Sequence, residues 1–198
     1  HLHNDFWYGK AMWKLPPLID STKMLCCAED LGMIPECVPA VMRNLQILSL
    51  EIQRMPKDPS VEFGNTWAYP YYSVCTSSTH DMPGIRAWWE SDHEMSQRFY
   101  NNVLHENGEA PYFAEPWVCG RIIDLQLNSP SMLCILPLQD WLSTDGGLRR
   151  EKPGEEQINN PSISRHYWRY RMHLTVEELM RQEHFNDDIR RRIRESGR

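Results

Sequence analysis

The chain has 198 residues, a formal net charge of −6 and eight tryptophans. So modest an acidic balance excludes a surface built for nucleic acid or for anionic membranes, and no apolar stretch is long enough to span a bilayer. This length supports one large domain, or one domain with a fragment; a whole eight-stranded α/β barrel, typically of roughly 250 residues, barely fits.

The chain opens at His1, and His1-Leu2-His3-Asn4 resembles no targeting signal. A piece excised or processed from a longer protein is therefore expected. The apolar spacing of Phe6, Trp7, Met12, Trp13 and Leu15 predicts a helix over residues 6–18, ending near Pro16-Pro17. Met24 to Ala28 is a short apolar run without helical period, as in a strand buried on both faces of a parallel sheet. Residues 37–45 read as a helix with Val38, Val41, Met42 and Leu45 on one side. Residues 47–55 form a second strand that turns polar at its end. A loop punctuated by Pro and Gly runs from Pro56 to Pro70 and carries Phe63, Trp67 and Tyr69. Residues 71–77 form the third strand, and residues 85–105 one long charged helix with Trp88 and Trp89 near its start. A helix over 115–127 opens on Glu-Pro, with Pro in the first turn. Residues 131–137 make the fourth strand, and Gln139-Asp140 begins a short helical turn. After a loop over 145–164, an amphipathic helix runs from the Thr175 cap to the end, with Glu178 at the capping-box position. Strand and helix alternate four times, which predicts α/β architecture with parallel strands and flanking helices: half of an eight-stranded TIM barrel.

The cysteines at 26, 27, 37, 75, 119 and 134 form no C-x-x-C pair and sit mostly in apolar runs. They read as small reduced core residues, which points to a cytoplasmic protein. Their spacing does not suit structural zinc.

All four strands end in polar residues: Glu29-Asp30; Glu51, Gln53 and Arg54; His80-Asp81; and Gln139-Asp140. Taken singly, Asp30 and Asp140 read as helix or turn caps. As a set, four polar strand ends form a ring on one rim of a barrel, where barrel enzymes keep their chemistry. Carboxylates converging on such a rim suit glycoside chemistry. One acid protonates the glycosidic oxygen, another carboxylate offsets the charge at the anomeric carbon, and a third attacks it. Aromatic residues supply flat apolar platforms for sugar faces. Trp67, Tyr69, Tyr71, Trp88 and Trp89 lie near the third strand, although ordinary packing accounts for most of them.

The segment Glu29-Asp30-Leu31-Gly32-Met33-Ile34-Pro35 resembles the acid/base motif of the 4-alpha-glucanotransferases, the amylomaltases and disproportionating enzymes of glycoside hydrolase family 77. Thr79-His80-Asp81 is similar to the later motif that carries that family's transition-state stabiliser. Glu51-Ile52-Gln53-Arg54-Met55 stands where the family has its intervening strand. Pro137-Leu138-Gln139-Asp140, Asn159-x-Pro161 and Tyr167-Trp168-Arg169-Tyr170-Arg171 resemble its closing motifs. The motifs follow the family order along nearly the whole chain, and their wording is closest to the longer members.

The resemblance implies that residues 1–198 are the C-terminal part of one catalytic barrel. Glu29 is then the general acid/base and Asp81 the stabiliser. His80 binds sugar hydroxyls, and Asp30 supports the acid/base. Gln53 and Trp88 join His80 and Asp30 as candidate substrate-binding residues, while Asn159 and Trp168 are structural or rim-forming. The partner is a maltooligosaccharide or other α-1,4-glucan, and neither a cofactor nor a metal is called for. The family's nucleophile, an aspartate in an Arg-x-Asp motif, is absent: Asp5 and Asp20 follow no buried strand and have no Arg two residues before. The isolated chain is therefore expected to be inactive or nearly so. A half barrel also exposes sheet edges and an open apolar face, which predicts a homodimer or larger assembly. Three other readings stand beside this one. An α-amylase-type hydrolase usually has Asn-His-Asp where this chain has Thr79-His80-Asp81. A non-catalytic glucan-binding fragment is suggested by the missing nucleophile. A metal-dependent barrel enzyme could recruit Glu29, His80 and Asp81 as ligands.

Overall fold

The computed structural model describes residues 2–32 and 34–198. The chain divides into two compact units, one of His1–Cys75 with Ser129–Ile135, the other of Thr76–Asn128 with Leu136–Arg198. The architecture is α/β, with one three-stranded sheet in the order β1-β2-β3.

In the first unit, helix α1 (Leu2–Asp20) is longer than the apolar spacing predicts and carries Pro16 and Pro17 inside it. It buries none of its residues, and Phe6, Trp7, Trp13 and Leu18 stay exposed. Helix α2 (Val38–Leu45) buries Val41 and Met42 and stops where Gln46 takes a left-handed backbone, its N–H turned back to the last carbonyls. The run Met24–Ala28 is not a full strand. It makes one isolated parallel bridge, Cys27 to Leu48, with Ala28 N–H donating to Leu48 O at 2.8 Å and Leu48 N–H to Cys26 O at 3.0 Å. Met24 and Leu25 are exposed, so the expectation of burial on both faces fails here: the flanking backbone pairs on one side and at one position. Strand β1 (Ser49–Ile52) ends in a turn closed by Met55 N–H on Ile52 O. Strand β2 (Ser73–Thr76) is buried throughout, as a central strand should be. It runs parallel to β3 (Leu133–Cys134), pairing Val74 with Leu133 and Cys75 with Cys134. Under the sheet, the Ser73 hydroxyl donates to Pro70 O and meets the Ser131 hydroxyl, so both buried polar groups are satisfied.

The second unit is built on helices. The run 85–105 is two helices, α3 (Ile85–Trp89) and α4 (His93–Asn102). Asp92 breaks it: its backbone is extended and its carboxylate accepts from Glu94 N and Met95 N, so capping α4 wins over continuing α3. Helix α5 (Pro116–Leu127) buries Val118, Cys119, Ile122 and Ile123, and α6 (Leu138–Leu142) buries Leu142. Burial pushes the Cys119 thiol up to about 12, so it behaves as a small hydrophobe. Cys27, by contrast, is exposed rather than in a core.

The C-terminal run is also two helices, α7 (Val176–Met180) and α8 (Glu183–Glu195). The expected Thr175–Glu178 capping box is present. The Asn186 amide donates to Leu179 O and Met180 O, which ends α7 before α8 begins. Helix α8 buries Phe185 and docks on α5 through Arg192, which donates to both Asp124 oxygens at 2.7 Å and to Gly120 O. A Cβ on Gly120 would lie 2.7 Å from that guanidinium, so a larger residue there would make the arginine head shift.

Candidate active site

The candidate residues fall into one set in each unit. In the first unit, Glu29 is exposed and follows the bridge at Cys27–Leu48. Its neighbour Asp30 is buried, and both its oxygens are engaged: Oδ1 accepts Leu50 N–H at 2.8 Å and Oδ2 accepts Lys57 Nζ at 2.7 Å. Lys57 also reaches Glu51 Oε1 at 2.7 Å, and Ser49 Oγ donates to the same oxygen at 2.8 Å. One ammonium thus compensates two carboxylates, and Asp30 clamps the segment after Glu29 to β1. Nothing in the pattern around Lys57 announces this, since it lies in a loop between prolines. Gln53 is buried just past β1, its carbonyl accepting Gly64 N–H at 2.7 Å. Tyr71 and Tyr72 pack edge to face at 5.6 Å and, with Glu51, Lys57, Met42 and Ile47, line a cleft of about 340 Å³. Tyr69 is buried, which pushes its hydroxyl well above the usual phenol range, with Glu51 adding to the effect.

In the second unit, the segment after β2 brings His80 and Asp81 to the surface, 53% and 46% exposed at the side chain. His80 Nε2 lies 3.4 Å from Asp81 Oδ2. The Asn159 amide donates to Asp81 Oδ1 at 2.5 Å, and Asn159 N–H donates to His80 O at 3.0 Å. One buried asparagine therefore fixes both the backbone and the carboxylate of the pair. Trp168 lies beside them, its ring 5.4 Å from that of His80 and tilted by 57°. Asn159 and Trp168, placed by their motifs on a structural rim, meet Asp81 and His80 directly.

Behind this surface, Asp140 is 2% exposed and accepts from Ser77 Oγ at 2.6 Å, from Ser78 Oγ, and from Ile85 N–H at 2.8 Å. It caps α3, a distant element, where its place in the sequence predicts a cap for the helix beside its own strand. Gly84 makes the approach possible, because a Cβ there would lie 3.0 Å from Asp140 Oδ1. Next on α3, Arg86 makes a buried ion pair with Glu156 at 2.7 Å and donates to Arg150 O at 2.7 Å. Burial raises the Glu156 carboxyl above its ordinary value, although Arg86 pulls it down. These bonds hold the chain segment that delivers Asn159. No local signal in the sequence joins Arg86 to Glu156. Trp88 is half-buried on α3, edge-on to Phe99 at 5.1 Å.

A profile of the family described as 4-alpha-glucanotransferase, glycoside hydrolase family 77, matches residues 5–175. The chain belongs to this family. It is 40% identical over 194 residues to the rice protein 4-alpha-glucanotransferase DPE2 (Oryza sativa subsp. japonica), covering 98% of this chain and 20% of that protein. It is 29% identical over 178 residues to a 4-alpha-glucanotransferase of Chlamydia pneumoniae, covering 88% of this chain and 33% of that protein. The chain therefore spans between a fifth and a third of the length of these relatives. In fold it is similar to the amylomaltase from Streptococcus agalactiae in complex with acarbose, with a TM-score of 0.65 at 18% identity, over 87% of this chain and 32% of that one.

Proposed function

We propose that this chain is the C-terminal half of the catalytic (β/α)8 barrel of a 4-alpha-glucanotransferase, which moves α-1,4-glucan segments between maltooligosaccharides. Family membership and the short coverage of longer relatives support this reading. The observation that carries it is Asp81, a carboxylate held by one amide, flanked by an imidazole and left open to solvent. Such a carboxylate can offset the oxocarbenium charge of a glycosyl transition state.

In this mechanism an aspartate from the part of the barrel outside this chain attacks the anomeric carbon. Glu29 gives its proton to the departing glycosidic oxygen, leaving a covalent glycosyl-enzyme. Glu29 then takes the proton of an incoming 4-hydroxyl as that oxygen displaces the aspartate. Two displacements retain the anomeric configuration. His80 is positioned to bond sugar hydroxyls; Asp30 keeps the segment carrying Glu29 in place. Gln53 and Trp88 complete the substrate-binding set of this reading. The same reading puts the protein in the cytoplasm, which its six cysteines, none in a disulfide among the described residues, support. The piece alone should be inactive for want of the attacking aspartate, and it should self-associate, because α1 leaves Phe6, Trp7, Trp13 and Leu18 uncovered.

The test is chain-length analysis of products from maltotriose, for this chain and for one extended upstream. The reading expects longer maltooligosaccharides from the extended protein and from no other, with loss of transfer in Glu29→Gln. Hydrolysis without chain lengthening would replace it with an amylase-type activity, and full activity in the short chain would overturn the missing nucleophile. Light scattering checks the assembly, which a monodisperse monomer would refute.

A further inference from the structure

We propose that Trp168 is a stacking platform for a glucose ring beside Asp81, so that it selects substrate instead of merely closing the rim. This rests on the glucan reading of the Asp81 site. The first observation is exposure. Trp168 is 63% exposed, whereas Trp89, a packing tryptophan of the same unit, is wholly buried, with its indole N–H bonded to Pro111 O. A tryptophan used for packing hides its ring; this one keeps it in water.

The second observation is that the exposed ring is held. The His80 ring lies 5.4 Å away at 57°, and the His166 ring 6.0 Å away at 83°. His166 is fixed in turn, its Nε2 2.9 Å from Ile158 O. Two imidazoles grip the indole without covering it, so its orientation is set before a ligand arrives. The third observation is the neighbours. A glucose ring offers C–H groups on its faces and hydroxyls around its edge. Recognition needs a flat apolar surface with hydrogen-bonding groups alongside. Trp168 supplies the surface, and His80 and Asp81 supply those groups.

The experiment compares Trp168→Ala, Trp168→Phe and Asp81→Asn in the upstream-extended protein, with maltotriose as substrate. Trp168→Ala should raise KM about 10-fold with kcat within about 3-fold, and Trp168→Phe should restore most of the loss, because a flat ring returns. An unchanged KM in Trp168→Ala, with Asp81→Asn inactive, overturns the platform and leaves the site reading standing. Full transfer by Asp81→Asn overturns the site reading and the platform with it. If Trp168→Ala does not fold, Trp168→Leu, apolar but without a ring, takes its place with the same expectations. A 5-fluorotryptophan label gives an independent readout. The resonance that disappears in Trp168→Phe should shift on adding maltoheptaose, and a resonance unmoved at concentrations that saturate transfer counts against the proposal.

Discussion

Asp140 and Asp81 look alike in sequence and are held in opposite ways. Each follows a strand by a few residues, and each has a polar neighbour before it, Gln139 or His80. Asp140 is sealed in, and its oxygens are taken up by two serine hydroxyls and the first N–H of α3. Asp81 is half open and is fixed through Oδ1 by the Asn159 amide, with His80 loosely beside Oδ2. The comparison teaches that position at a strand end does not decide what an acid does. The donors that reach it decide: a carboxylate whose capacity is filled by its own fold becomes a joint, and one left with capacity can meet a substrate.

The largest effect that could break this contrast is on turnover. Asp81→Asn in the upstream-extended protein should cut transfer from maltotriose by about 100- to 1000-fold, because the amide cannot offset a developing positive charge. Its urea midpoint should stay near that of the parent, since an exposed side chain is exchanged for an isostere. Asp140→Ala should do the reverse. It removes the acceptor that three buried donors share and should cost about 3 kcal/mol in urea unfolding. A stable Asp140→Ala protein with lost transfer would erase the distinction between the two acids.

A smaller effect sharpens it. Asn159→Ala removes the amide that orients Asp81 and should lower kcat about 10-fold with KM little changed, as measured on maltotriose. Glu156 gives the smallest signal. Its carboxyl is raised by burial, so the native state holds the proton more tightly than the unfolded state. Stability therefore falls as pH rises from the ordinary carboxylate value through the raised one, by at most about 1.4 kcal/mol per pH unit. Urea unfolding over that window should show the limb in the parent and in Asp81→Asn, and a flattened one in Glu156→Gln. A limb that survives in Glu156→Gln would assign it to another group.

What was legible in the sequence was local or ordered. The wording around Glu29, Glu51, Asp81 and Asn159 follows the family order, and the capping box at Thr175 needs four residues to be seen. The buried third strand stood out because an apolar run without helical period has few other uses. The helix breaks were not legible. Asp92 is tolerable on a helix surface and breaks it here because its carboxylate finds backbone partners, while Asn186 stays inside α8 and reaches back to the last carbonyls of α7. Nor were the groups that position the site. Arg86 meets Glu156 from 70 residues away and Asn159 meets Asp81 from 78, and neither distance leaves a pattern behind. Lys57 carries no signal at all until Asp30 and Glu51 are seen on either side of it. The first strand fails for a related reason: an apolar run does not by itself supply cover, and Met24 and Leu25 face water.

The seating of α8 has a consequence for how the C-terminal end answers to salt. Arg192 is mostly shielded and is shared between Asp124 and Asp188, whereas Arg190 and Arg191 make their pairs at the surface. Mobile ions screen the outer pairs readily and reach the inner one poorly. As ionic strength rises, the outer side of this helix should therefore loosen while the side resting on Gly120 keeps its grip, and the tail frays from the solvent inward without leaving its bed.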